Sequence, residues 1–242
     1  MLTIFVRKDL SMRKGKMAAQ SAHAAMKLFL EVMVPENGFL VLKNEQDKEF
    51  KSFLETPIVK IVMSKDENEF DNAYNKAKPY SVIVDNGRTE FHGIPTKTCA
   101  AQGIFEKTAL NELHVPHTYG QEIKAKELFI FSKEKPLPKE KACELAVLSC
   151  LKMLYSQMVQ NEKGEKCINL MDKSPLSAWI TGAFGKIAVS TKTDEELKDL
   201  ESLLSKKGFA VISCESEGNK CLVISPQYPE VIDEYTRHLS LI

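Results

Sequence analysis

The chain has 242 residues, enough for one large domain or two small ones. Its 33 basic and 33 acidic side chains cancel to a formal charge of zero, with neither half in excess. That balance excludes a bulk polyelectrolyte binder of nucleic acid, so any contact with RNA must come from a local patch.

Taken in chain order, the apolar patterning predicts a strand at Leu2–Arg7 and a helix over about Lys14–Val34, ended near Pro35 and Gly38. A short helix is expected in the charged stretch Asn44–Lys51. A strand follows at Ile58–Met63, then a helix at Glu67–Lys78 with Pro79 past its end. Ser81–Asp85 reads as a strand, Asn86-Gly87 as a turn, and Thr98–Phe105 as a further strand. Glu106–Lys126 is polar, contains Pro116 and Gly120, and reads as a linker. Beyond it come a strand at Leu128–Phe131 and a long helix at Lys139–Met158. They are followed by a strand at Lys186–Thr191 and a helix at Asp194–Lys207, stopped by Gly208. Strands at Phe209–Cys214 and Cys221–Ser225 and a helix at Pro229–Leu239 complete the list. Alternating strands and helices imply α/β layers.

The grammar after the linker repeats the grammar before it. At an offset of 125 residues Lys14 falls on Lys139, Lys16 on Lys141 and Ile4 on Phe129. The expectation is a tandem pair of small three-layer α/β/α domains, each with a mixed four-stranded sheet, residues 1–120 and 121–242. The alternative is two unrelated α/β units with a common grammar. Gln20 is matched by Leu145 and His23 by Leu148, so a duplicated second unit would be a scaffold without the chemistry.

Six cysteines (Cys99, Cys143, Cys150, Cys167, Cys214 and Cys221) include no C-x-x-C pair, which points to free thiols in a reducing cytosol. No signal pattern opens the chain, and the apolar run around Met26 to Val34 is too short and interrupted to span a bilayer. A soluble, cytoplasmic protein without membrane contact is expected. His114-x-x-His117 is loosely ligand-like but lacks a third partner, so neither metal nor cofactor is expected.

Phe5 to Ala25 is the most informative segment. A short strand feeds a basic loop that opens into an alanine-rich helix. There Lys16, Gln20 and His23 fall at i, i+4 and i+7 on one face. Arg7, Lys8, Arg13, Lys14 and Lys16 gather near a helix N-terminus whose backbone N–H groups lack intrahelical partners, a setting suited to phosphate. Equally open on local sequence are a solvated basic loop and a core histidine.

The run Lys14-Gly15-Lys16-x-Ala18-Ala19-Gln20-x-x-His23-Ala24-Ala25, preceded by Val6-Arg7-x-Asp9-Leu10-x-Met12, resembles the opening of the type 2 peptidyl-tRNA hydrolases of archaea and eukaryotes. Ser81-Val82-Ile83-Val84-Asp85-Asn86-Gly87-Arg88-Thr89, followed by Thr96-Lys97-Thr98, resembles that family's second signature. The resemblance implies an enzyme, a carboxylic ester hydrolase that cleaves peptidyl-tRNA to peptide and free tRNA without a metal. It places the catalytic residues at Lys16, Gln20 and Asp85, and implies substrate contacts by Arg13, Lys14, His23, Arg88, Thr89 and Thr98. The partner implied is peptidyl-tRNA, through its acceptor stem and ester.

Chemically, Lys16 can bind phosphate or stabilise an oxyanion, Gln20 can hold a carbonyl or a water, and Asp85 can orient the water or pair with Lys16. Asp85 as an Asx cap of the Asn86-Gly87 turn stays open beside that role. Departures from the family pattern are Asn86 for alanine, one extra residue between Thr89 and Thr96, and an altered strand end after Thr98. They leave a second function in view: a non-catalytic tRNA- or protein-binding module on the same fold. Single-domain members of the family resemble one another in forming homodimers. By that resemblance the second half supplies a pseudo-dimer partner within one chain.

Overall fold

The computed structural model describes residues 1–87, 90–108, 122 and 124–242. β1 (Leu2–Arg7) is buried along nearly its whole length because both of its faces are covered. It runs parallel to β4 (Val59–Ser64) and antiparallel to β6 (Thr96–Gly103), and β6 pairs with β5 (Tyr80–Asp85). The sheet order is β4-β1-β6-β5. Leu2, Ile4, Val6, Ile83 and Ala101 point to the face that carries α1 (Lys14–Glu31). Phe5 and Ala100 point to the other, against Phe70 and Tyr74 beside α3 (Glu67–Ala73). Asp66 starts α3 by accepting the Glu69 N–H at 2.8 Å.

The second sheet has the same order and the same strand senses. β7 (Lys126–Ser132) lies parallel to β10 (Gly185–Thr191) and antiparallel to β12 (Asn219–Gln227), which pairs with β11 (Val211–Ser216). One strand is added, β13 (Ser240–Leu241), on the far edge of β10. α4 (Lys139–Ser156) covers the inner face. The outer face buries Leu128, Ile130 and Leu222 against Leu197 and Leu204 of α6 (Asp194–Lys206) and Ile232 of α7 (Pro229–Thr236).

α1 and α4 pack against each other between the two sheets, and each also touches the sheet of the other half. Both helices have 18 residues, and both follow a residue with φ −59° and ψ 151°. Two hairpins join the halves further. β2 (Val34–Glu36) with β3 (Phe39–Leu42), and β8 (Val159–Gln160) with β9 (Lys166–Asn169), meet where β3 pairs antiparallel with β9. Two lysine contacts are reciprocal at the 125-residue offset. Lys14 Nζ donates to the Leu137 carbonyl at 2.6 Å, and Lys139 Nζ to the Met12 carbonyl at 3.3 Å.

The structure departs from the sequence expectations in definable places. The described residues form three sheets, and the second has five strands rather than four. α1 ends at Glu31 instead of Val34, because Val34–Leu42 forms a hairpin around Asn37-Gly38, both at positive φ. α3 ends at Ala73, well short of Lys78. α2 (Asn44–Glu55) extends past Lys51 to bury Phe53. α5 (Pro175–Ile180), capped by the Ser174 hydroxyl, and both later hairpin strands carried no distinct periodicity. Most of the expected linker, with His114, Pro116, His117 and Gly120, lies outside the described residues.

At the centre of the helix pair, Ser21 of α1 sits with its hydroxyl 4.0 Å from Cys99 Sγ. Both side chains are fully buried, in a helix interface built on small residues. Ser21→Leu should therefore overpack the junction and destabilise the chain by about 1–3 kcal/mol. Urea unfolding monitored by Trp179 fluorescence measures the loss.

Candidate active site at the junction of the halves

Lys16 lies in the first turn of α1, and Asp85 closes β5 some seventy residues later. The fold brings them together: Lys16 Nζ stands 3.1 Å from Asp85 Oδ2, both side chains mostly buried. Gln20, one turn beyond Lys16, donates from Nε2 to the same Oδ2 at 2.6 Å. The other carboxylate oxygen, Oδ1, accepts the Gly87 N–H at 2.7 Å. Asp85 is thus both a turn cap and the partner of Lys16, one oxygen for each role. Gly87 has φ +74°, and a Cβ there would lie 2.7 Å from the Ile94 nitrogen. Only glycine fits this turn.

Thr98, fully buried on β6, donates to Gln20 Oε1 at 3.3 Å. Its hydroxyl therefore fixes which end of the amide faces Asp85. Phe91 lies with its ring centroid 4.6 Å from Lys16 Nζ, a cation–π contact contributed by the loop between β5 and β6. Arg13 is exposed and pairs loosely with Glu90 at 3.8 Å. Arg13, Lys16, Gln20, Asp85 and Glu90 line an open cleft of about 750 Å³. A second groove of about 690 Å³ over α2 is lined by solvated side chains of mixed charge, such as Glu45, Lys48 and Glu49, and lacks such convergence.

The basic cluster near the start of α1 is dispersed. Arg7 is buried against Asp9 at 2.6 Å and Glu67 at 2.8 Å, away from the cleft. Lys14 reaches the other half at Leu137. The Gly15 N–H, expected to be open for an anion, donates to the Ile242 carbonyl at 3.1 Å. Of the cations predicted there, Arg13 and Lys16 line the cleft. Arg88 and Thr89 lie outside the described residues.

His23 also lines the cleft, at its floor, with its ring 5.6 Å from that of Phe184. Its Nε2 is out of reach of solvent. Burial, with Lys186 and Lys27 nearby, holds its imidazole well below the usual histidine range, so it is neutral at pH 7. Beneath it, Glu127 and Lys186 form a buried pair at 3.5 Å, and Lys186 Nζ lies 3.9 Å from the Trp179 ring centroid. Burial pushes the Cys99, Cys143 and Cys150 thiols up, which leaves them protonated and poor nucleophiles. Among the described residues no group of three or more His, Cys, Asp or Glu side chains could hold a metal ion, and none of their helices is long and apolar enough to cross a membrane.

Comparison with known sequences bears on residues 1–114, which match the family described as Peptidyl-tRNA hydrolase PTH2. A peptidyl-tRNA hydrolase of Sulfolobus acidocaldarius is 38% identical over 111 residues, covering 42% of this chain and 84% of the relative. The chain belongs to the type 2 peptidyl-tRNA hydrolase family. Relatives of the same name in Metallosphaera sedula, 34% identical with 42% and 84% covered, and Methanocaldococcus jannaschii, 32% identical with 37% and 73% covered, agree. Against that family setting, sequence reasoning missed Phe91 over Lys16, and Glu90 and the wall contributed by residues 183–188 and 241–242. No local motif marks these positions; only the path of the chain does.

The state of His23 gives a pH prediction for this hydrolase-family chain. Unfolded, His23 titrates near its ordinary value of 6.5, whereas its folded value lies well below. The unfolded chain therefore binds the extra proton first, so this contribution to stability is complete above pH 6.5 and is lost as pH falls below it. Urea unfolding at about pH 7.5 and 5.5 should show that loss in the wild type. His23→Gln should show a smaller one.

Proposed function

We propose that this chain hydrolyses the ester of peptidyl-tRNA, with the chemistry carried by residues 1–120. The observation that carries the reading is the meeting of Lys16, Gln20 and Asp85 on one side of an open cleft. In the proposed reaction a water oxygen bonds to the acyl carbon, and the bond from that carbon to the ribose oxygen breaks. The ribose oxygen leaves with one proton of that water, the peptide leaves as its carboxylate, and the second proton passes to solvent. Lys16 stabilises the negative charge that develops on the carbonyl oxygen. Asp85 orients the attacking water, and Gln20, held by Thr98, fixes the carboxylate and the substrate carbonyl. Arg13, with Arg88 and Thr89, takes the phosphates and ribose of the acceptor stem, while His23 closes the floor as a neutral group. No step is assigned to a metal or cofactor. Six free, buried cysteines suit a cytoplasmic setting.

Residues 121–242 are, in this reading, a second copy of the fold that serves as scaffold. The shared sheet order, the equal helices and the reciprocal lysine contacts support it. So does the fate of Lys141, the counterpart of Lys16. It is held by Glu144 at 2.8 Å, the Ser216 hydroxyl at 3.1 Å and Glu217 at 3.1 Å. Two carboxylates neutralise it, and Leu145 stands where Gln20 stands in the first half. The second copy then plays the part of a dimer partner within one chain.

Lys16→Ala and Asp85→Ala should each lower discharge of peptidyl-tRNA by at least about a hundredfold while circular dichroism stays native. Wild-type turnover in both would refute the assignment, and salt-sensitive tRNA binding without cleavage by the intact chain would favour a binding module. A chain cut after Tyr119 uncovers α1 and β3, and should dimerise or aggregate in sedimentation. A stable, fully active monomeric first half would refute the pseudo-dimer.

A further inference from the structure

The cleft is built unequally. Its first-half side holds the polar groups Arg13, Lys16, Gln20, Asp85 and Glu90 beside the apolar Ile83 and Val84, whereas the opposite wall comes from the second half. That wall presents Ala183, Phe184, Ala188, Leu241 and Ile242. Its one charged residue, Lys186, has a side chain only 3% exposed, and Nζ is turned inward to Glu127 and the Trp179 ring. The stem, not the charge, therefore borders the cleft. The wall is also fixed close to the catalytic lysine. The Ile242 carbonyl accepts the N–H of Gly15, the residue before Lys16. A Cβ on Gly15 would lie 2.8 Å from that oxygen and 3.3 Å from Ala188 Cβ, so glycine is what permits the approach.

Two large apolar side chains at this cleft are left in solvent. Leu241 is 68% exposed on the second-half wall, and Val84 is 52% exposed beside Asp85. Exposed apolar side chains lining one cleft suit a ligand with an apolar part. The segregation matches an ester of this kind, in which ribose and phosphate lie on one side of the acyl carbon and the amino-acid side chain on the other.

We propose that the second-half wall is the subsite for the side chain of the residue esterified to tRNA, and that it selects apolar side chains. The proposal rests on the ester-hydrolase reading above. It gives the second half a direct role in substrate choice although that half carries no catalytic group.

The test compares N-acetyl-leucyl and N-acetyl-seryl esters on one and the same tRNA body, cleaved by the full chain. The expected kcat/KM favours the leucyl ester by about tenfold or more. Leu241→Lys places a charge on an exposed position and should lower that ratio several-fold. Ile242→Ser should lower it in the same direction while leaving the backbone contact to Gly15. A wild-type ratio near one overturns the subsite while the hydrolase reading stands, and so does a ratio unchanged in both variants. Discharge of neither ester overturns the hydrolase reading and the subsite with it.

Discussion

Burial of α1 from two sides is the constraint on which the rest of the structure depends. Met17, Ala18, Ser21, Ala22, Ala24, Ala25, Met26, Leu28 and Phe29 are all out of solvent, and they occupy more of the helix than one sheet can cover. A helix apolar nearly all round is stable only inside a layered core. α4 and the second sheet provide the missing cover. Beyond Lys14, what stays half-open is a single stripe, Lys16, Ala19, Gln20, His23 and Lys27, at the spacing of successive turns. The polar face of the helix is therefore the seam at which the two halves do not close, and the cleft follows from how α1 is packed.

The same constraint explains why the site groups are held so firmly. Gln20 and Thr98 are fixed by helix–sheet packing, and Asp85 by its own turn, so each polar group has a partner before any substrate arrives. Preorganisation of this kind is what the proposed hydrolysis would require, because a carboxylate left free to rotate would neither orient water nor hold the lysine. The counterpart region of the second half shows the opposite solution. There Lys141 lies among Glu144, Ser216 and Glu217, and Leu145, one turn on, is fully buried in the core.

Several features could be read from residues alone, because they are local. The apolar runs specified both central strand and helix pairs to within a few residues. Glycine and asparagine specified the turn after Asp85. The i, i+4, i+7 spacing placed Lys16, Gln20 and His23 on one face. The β2–β3 hairpin escaped because Val34 continues the apolar pattern of the helix before it, and only pairing with β9 from the other half makes that segment extended. Chain position likewise could not say whether Asp85 caps its turn or meets Lys16; two oxygens let it do both.

The sequence by itself determined the family, the central strands and long helices and the residue types available for chemistry, since each depends on neighbours within a turn or a strand. Tertiary structure alone decided that Lys14 and the Gly15 N–H serve the contact between halves rather than an anion, and that Phe91 covers Lys16. It also decided that residues 183–188 and 241–242 form the far wall of the cleft. The physical reason is range. Propensity and periodicity act over a few residues, whereas these contacts are chosen by which apolar surfaces must be buried together, across as many as 226 intervening positions between Gly15 and Ile242.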